Sequence, residues 1–215
     1  FGTPFYSYSY SKLKENINNF KKSFRSFSPL ICFAVKSNTN VNIIREIKKF
    51  GLGADVVSVG ELMMALKAGI NPSKIVFSGV GKTALEISNA IEQRILQFNI
   101  ESYQEFLTIE EIAREKKIKA NIAIRINPDV VAGGHPKIST GKKTDKFGIS
   151  PEEAIDIYLA AKQCSYLNIV GVDMHIGSQI LKINPFKNSF KKIEQFCKKL
   201  EKYKIKIKNI DIGGG

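Results

Sequence analysis

The sequence predicts an α/β protein whose parallel strands and helices alternate as in a (β/α)8 TIM barrel. Two observations support that class, and a third narrows it. Short apolar runs rich in β-branched and aromatic residues recur along the 215 residues, each closed by a small polar turn and followed by an amphipathic helical stretch. Strands that alternate with helices pair in parallel through right-handed crossovers, which build either an open doubly wound sheet or a barrel. No GxGxxG follows the first strand, which argues against a dinucleotide-binding open sheet.

Taken in order, residues Phe5 to Tyr10 alternate aromatics with serines, a short strand pattern. Ser11 to Phe27 reads as a helix with Leu13, Ile17, Phe20 and Phe24 on one face, broken by Ser28-Pro29. Seven strands are then expected near residues 30–35, 54–57, 74–77, 96–101, 121–126, 169–174 and 207–212. Helices are expected between them near 41–50, 60–68, 83–92, 103–116, 151–163 and 185–204, several with start signals such as Ser150-Pro151 ahead of Glu152 and Glu153. The irregular stretch from Asn127 to Ser150, with two prolines and four glycines, reads as an active-site loop or lid. Seven strands are one short of a closed barrel. A last strand running into Gly213-Gly214-Gly215 would leave an open sheet edge, so a longer parent polypeptide is expected.

Composition bounds the function. The net charge is +13, from 33 Lys and Arg against 20 Asp and Glu. Most of the lysines sit in helical segments such as Phe190–Leu200, spaced as on a solvated face, so no nucleic-acid partner is expected. No apolar run is long enough to span a bilayer, so no membrane partner is expected either. No secretory signal is visible, and Cys32, Cys164 and Cys197 lack a CxxC pattern, which together suit a reducing cytoplasm.

Function in such barrels collects at the carboxyl ends of the strands. Lys36 closes the first apolar strand, and as an amine at the mouth of an apolar core it is expected to be desolvated and nucleophilic toward an aldehyde. Asp55, Ser58 and Glu61 follow the second strand. Arg125 ends the fifth, placed to touch a cofactor or to pair with Asp55 or Glu61. His175 and Ser178 follow the sixth, and the triple glycine follows the seventh. Three consecutive amides without Cβ atoms can close on one anion, with Ser178 offering a hydroxyl beside them. His175 is one of two histidines, and its flat ring can lie against a planar group. An amine nucleophile, a phosphate cradle and a flat ring around one mouth point to pyridoxal phosphate. His135 lies in the irregular stretch without metal-ligand spacing, and no metal site is expected.

These residues carry a resemblance. Phe1–Tyr6, Phe33-Ala34-Val35-Lys36-Ser37-Asn38, Gly53–Leu62, Arg125–Asp129, His135–Gly141, Lys146–Ile149, His175–Gln179 and Gly213–Gly215 resemble, in order, the motifs of the fold-type III pyridoxal-phosphate decarboxylases, of the alanine racemase-like barrel kind. The stretches at 125–129, 135–141 and 146–149 are most similar to the branch acting on meso-diaminopimelate, and less so to enzymes for ornithine, arginine or carboxynorspermidine. The resemblance implies a PLP-binding barrel lacking its last strand and a C-terminal β-domain. Residues 10–215 would form the partial barrel, and residues 1–9 a strand region leading into it, assignable to the β-domain. It implies Lys36 and His175 as catalytic residues, and Lys36, Asp55, Ser58, Arg125, His175, Ser178, Gly213, Gly214 and Gly215 as cofactor-binding residues. Ile138, Ser139 and Lys146 would belong to a substrate lid. The implied activity is release of CO2 from meso-2,6-diaminopimelate to give L-lysine, by a cytoplasmic homodimer whose partner subunit completes the site. The 215 residues alone are expected to be inactive. A non-catalytic PLP-binding relative is the alternative from another class.

Overall fold

The computed structural model describes residues 2–24, 26–130 and 147–214. Among these residues seven α-helices and seven strands alternate: α1 (Tyr10–Lys22), β1 (Cys32–Ala34), α2 (Val41–Lys49), β2 (Gly53–Val56), α3 (Val59–Lys67), β3 (Ile75–Phe77), α4 (Ala84–Glu92), β4 (Gln97–Ile100), α5 (Tyr103–Lys116), β5 (Ala120–Arg125), α6 (Pro151–Gln163), β6 (Leu167–Asp173), α7 (Asn184–Lys202) and β7 (Asn209–Asp211). All seven strands form one sheet in the order β1-β2-β3-β4-β5-β6-β7, each parallel to the next. Unbroken sequential order is the barrel topology. A doubly wound sheet would reverse direction at a switch point.

The sheet is strongly curled. Asn99 Nδ2 on β4 donates to Asp211 Oδ2 on β7 at 3.0 Å, and Asn209 Nδ2 on β7 donates to Gln97 Oε1 on β4 at 3.1 Å. Strands three apart in a flat sheet would stand about 14 Å from each other. Short polar side chains can meet across that interval only because the sheet wraps around them.

Period two sorts the strand residues. Ala54, Val56, Ile75, Phe77, Phe98, Ile100, Ile122, Ile124, Val172 and Met174 join the buried apolar cluster shared with the helices. The alternate positions face the inside of the curl, where Gln97 meets Asn99, Asn99 meets Asp211, Arg125 stands by Asp173 and Asp55 meets Ser78. The apolar core is therefore a layer between sheet and helices, and the inside of the arc is polar. The expectation of an apolar core around the first strand is corrected on this point. An unbroken apolar run such as Ile31–Val35 gives no sign of what faces it from the other strands.

Four helices begin on the same local signal. Ser58, Thr83, Ser102 and Ser150 are N-caps whose hydroxyls accept the backbone N–H three residues on, each belonging to a glutamate. Each cap contributes about 1 kcal/mol. In α4 the exchange is reciprocal, with Glu86 accepting from Thr83 N. Glu61 and Glu105 reach one residue further back, to the N–H groups of Val57 and Glu101. The cap thus bolts each helix start onto the carboxyl end of the preceding strand, where the polar residues gather.

Between Ile122 and Ala123 the β5–β6 register shifts by one residue. Tyr158 on α6, wholly buried, repairs the disturbed ladder: its hydroxyl donates to Gly171 O at 2.7 Å and accepts from Ile124 N at 3.3 Å.

Two expectations for the start of the chain are corrected. Residues 2–9 adopt no strand and lie outside the sheet, with Phe5, Tyr6 and Tyr8 exposed. Alternation supplies two faces, but a strand is completed only by a hydrogen-bonded neighbour. α1 ends at Lys22, short of Phe27, and fully buries none of its residues; Phe20 on its apolar stripe meets the Phe24 ring at 5.2 Å, and Lys21 Nζ donates to Phe50 O. Residues 131–146, most of the irregular loop, lie outside the described residues.

Candidate active site at the carboxyl ends of the strands

Lys36 sits in a single 3-10 turn, Val35–Ser37, that follows β1 directly. Ser37 Oγ donates to Ala34 O and Asn38 N to Val35 O, which turns the chain sharply and throws the lysine out at the mouth. Lys36 is exposed, whereas the sequence suggests a desolvated amine. Its surroundings are acidic and polar, because Asp55 stands on the neighbouring strand at the position paired with Ala34.

Asp55 Oδ1 accepts from Ser78 Oγ at 2.7 Å. Burial pushes its carboxyl up to about 6, repulsion from Asp211 adds to the rise, and Ser78 and the Lys36 charge oppose it. His175 responds the other way. Burial lowers its imidazole to about 4, and the charges of Arg125 and Lys36 lower it further. Its Nδ1 accepts from Gly214 N at 3.3 Å, which assigns the proton of the neutral ring to Nε2.

The glycines are required here by geometry. Gly213 has φ +62° and donates its N–H to Asp211 Oδ1 at 2.9 Å; a Cβ on it would sit 2.7 Å from His175 Nδ1 and 2.8 Å from Met174 O. A Cβ on Gly214 would meet nothing within 4 Å, so open space adjoins that amide. Ser178 is exposed in a bend after β6, between Gly177 at φ 139° and Gln179 at φ 58°. Gly215, Ile138, Ser139, Lys146 and His135 lie outside the described residues.

Arg125 pairs neither with Asp55 nor with Glu61. Its Nη1 meets Glu101 Oε2 at 2.7 Å with both side chains buried, its Nε lies 4.0 Å from Asp173 Oδ2, and its guanidinium stands 5.4 Å from the Phe147 ring centre. Glu61 is committed to the start of α3, and the Ser58 hydroxyl caps the same helix. Those two therefore have structural work whatever else they touch.

Sequence reasoning passed over a second layer. Asn99 Nδ2 donates to Ser78 Oγ at 3.1 Å as well as to Asp211, and Gln97 Nε2 donates to Asn99 Oδ1 at 2.9 Å. The Lys82 side chain, wholly buried, donates to Glu105 Oε1 at 2.6 Å, Gly79 O at 2.7 Å and Asn99 O at 2.8 Å. Gly79 N in turn donates to Glu101 Oε1. Asp173 is buried with its carboxyl pushed well above the usual range, by burial first and then by Asp211. The signal for the inner layer was the period-two run Gln97-x-Asn99-x-Glu101. Among the described residues no buried side-chain nitrogen or oxygen lacks a partner, and no three His, Cys, Asp or Glu gather as metal ligands.

A sequentially ordered arc of parallel strands with an amine, a neutral imidazole and a glycine turn at its carboxyl ends defines the class: a cofactor-holding β/α barrel wall. The family model described as "Pyridoxal-dependent decarboxylase, pyridoxal binding domain" matches residues 10–215, and the chain belongs to that family. It is 47% identical over 213 residues to a Helicobacter pylori protein named diaminopimelate decarboxylase, covering 99% of this chain and 53% of that one. A protein of the same name from Aquifex aeolicus is 46% identical over 215 residues, with 51% of its length covered. The crystal structure of the H. pylori diaminopimelate decarboxylase complexed with L-lysine superposes with a TM-score of 0.97 at 46% identity, covering all of this chain and 55% of that one. The chain thus spans about half the length of the relatives it matches.

The residues present fit pyridoxal phosphate. An exposed amine, a ring kept neutral, and a glycine turn with open space beside an amide suit an aldehyde, a flat heterocycle and a phosphate respectively.

Proposed function

We propose that this chain is the cofactor-holding half of an enzyme that decarboxylates meso-2,6-diaminopimelate to L-lysine and CO2, the last step of lysine biosynthesis. The observation that carries it is the convergence of Lys36, Asp55, His175 and Gly213-Gly214 at one barrel mouth, in a chain 40–47% identical to proteins named for that reaction.

Lys36 would hold the cofactor through its amine and yield it to the substrate's amino group. When bound, pyridoxal phosphate supplies the electron sink for the pair left behind as CO2 departs. His175 offers an uncharged face, since its imidazole binds a proton only near pH 4, and so does not compete with cationic groups around it. Asp55, with a carboxyl near 6, can hold or release a proton close to neutrality while Ser78 fixes its orientation. The amides of Gly213 and Gly214, with Gly215 and the Ser178 hydroxyl, would bind the phosphate. Arg125, held by Glu101, would keep positive charge beside the ring site. Ile138, Ser139 and Lys146 belong to this proposal as lid residues.

A homodimer in the cytoplasm is part of the same reading. Three free cysteines and the lack of any helix long and apolar enough to cross a membrane, among the described residues, are compatible with it.

The test is a visible absorption spectrum of the full-length parent protein with pyridoxal phosphate, followed by meso-diaminopimelate. A cofactor band that shifts on addition, with CO2 and lysine released, is the expected result. A band that responds only to another amino acid moves the substrate, and no band at all overturns the cofactor site. Sedimentation of the parent protein tests the dimer.

A further inference from the structure

We propose that Asn99 is a positioning residue that couples the two sides of the barrel mouth, holding the acid beneath Lys36 and the glycine turn beside His175 in one fixed relation. The inference rests on the reading of the mouth as a pyridoxal-phosphate site.

Asn99 lies on β4, far in sequence from both sides, and is 1% exposed. Each of its amide's polar positions is used. One Nδ2 hydrogen goes to Ser78 Oγ at 3.1 Å, the other to Asp211 Oδ2 at 3.0 Å, and Oδ1 accepts from Gln97 Nε2 at 2.9 Å. The orientation of the amide is dictated by its partners. Ser78 spends its proton on Asp55, so it can only accept from Asn99, and a carboxylate such as Asp211 is an acceptor. Gln97 must present its NH2 to Asn99, because its Oε1 accepts from Asn209. The interior is therefore one directed chain of hydrogen bonds with a single consistent assignment.

That chain has two working ends. Through Ser78 it reaches Asp55, next to Lys36. Through Asp211 it reaches Gly213 N, whose turn brings Gly214 N onto His175 Nδ1. Asp55 and Asp211 repel each other across the barrel. A neutral side chain that donates to Asp211, and to the Ser78 hydroxyl that in turn donates to Asp55, is what keeps them apart yet registered. A serine at position 99 is too short to reach both, and an aspartate replaces two donors with acceptors facing two acceptors.

The consequence falls on the phosphate end of the cofactor. Pyridoxal and pyridoxal phosphate differ only in that group, so the ratio of their affinities reads the glycine turn while leaving the Lys36 end common to both. In the full-length parent protein, Asn99→Ser is expected to reduce the preference for pyridoxal phosphate over pyridoxal by about tenfold or more, the loss that goes with one hydrogen bond to a charged group, Asp211. The swapped pair Asn99→Asp with Asp211→Asn restores a donor–acceptor contact between β4 and β7 and keeps an oxygen for Gly213 N, while it leaves an acceptor facing Ser78 Oγ, so it repairs the Asp211 arm alone. It should keep a preference at least about threefold greater than that of Asn99→Ser.

An unchanged preference in Asn99→Ser overturns the coupling while leaving the cofactor site standing. Loss in the swapped pair as large as in Asn99→Ser overturns it too, because the β4–β7 contact would then not be what matters. Failure of the parent protein to bind either aldehyde overturns the reading of the mouth and this inference with it.

Discussion

His175 and Asp55 titrate in the same pH window with opposite effects on stability. The imidazole drops from 6.5 unfolded to about 4 folded, so its contribution is present above 6.5 and lost as pH falls toward 4. The Asp55 carboxyl rises from 3.8 to about 6, so its contribution is present below 3.8 and lost as pH rises through 6. Between pH 4 and 6 the two slopes, each approaching about 1.4 kcal/mol per pH unit, nearly cancel. Removing either should expose the other. Relative to wild type, Asp55→Asn should lose stability as pH falls from 6 to 4, and His175→Gln should gain it, measured by denaturant unfolding across that range. Parallel curves for both variants would refute the assignment. A separate expectation concerns Lys36→Ala, which should abolish the visible cofactor band in the parent protein; a band that survives places the amine elsewhere. Lys36 and His175 were legible as a lysine and a histidine ending strands. The exposure of Lys36 was not, because a strand pattern does not reveal the tight turn that follows it.

The helix starts tie fold to site through charged groups. Glu105 caps α5 from within, accepts from Glu101 N and neutralises Lys82, whose side chain is wholly buried against two carbonyl oxygens. Burial raises the Glu105 carboxyl even against the Lys82 charge. Glu105→Ala should therefore destabilise by about 3–5 kcal/mol, since it strands an ammonium in the interior. Lys82→Met should cost less, because the carboxyl it leaves behind can take up a proton. Denaturant unfolding at neutral pH decides the order, and equal losses would contradict it. The Ser/Thr-x-x-Glu signals that begin α3, α4, α5 and α6 are plain in the sequence as local spacing. The Lys82–Glu105 pair was hidden because its members are 23 positions apart and joined only by the β3–β4 alignment.

Across the whole molecule, sequential strand order followed from the alternation of patterns, and the curl and polar interior did not. Curl depends on contacts such as Asn99–Asp211 that span 112 positions. It also leaves protection uneven. β3 and β4 are buried along their whole length, whereas β1 and β7, the two ends of the sheet order, are half-exposed. Native-state hydrogen exchange should be slowest in β3–β6 and fastest in β1 and β7. Equal protection across all seven strands would mean that the ends are covered in solution.

The two faces of each strand answer to different demands. Outward positions fill the space beneath the helices, and inward positions meet only one another and whatever enters the mouth. Changes at 54, 77, 98 and 172 would first have to survive as a fold, whereas changes at 55, 78, 99 and 173 would first disturb the hydrogen-bonded interior that shapes the mouth. Every second residue thus shapes the mouth, and its neighbour fills the layer that holds the strand in place.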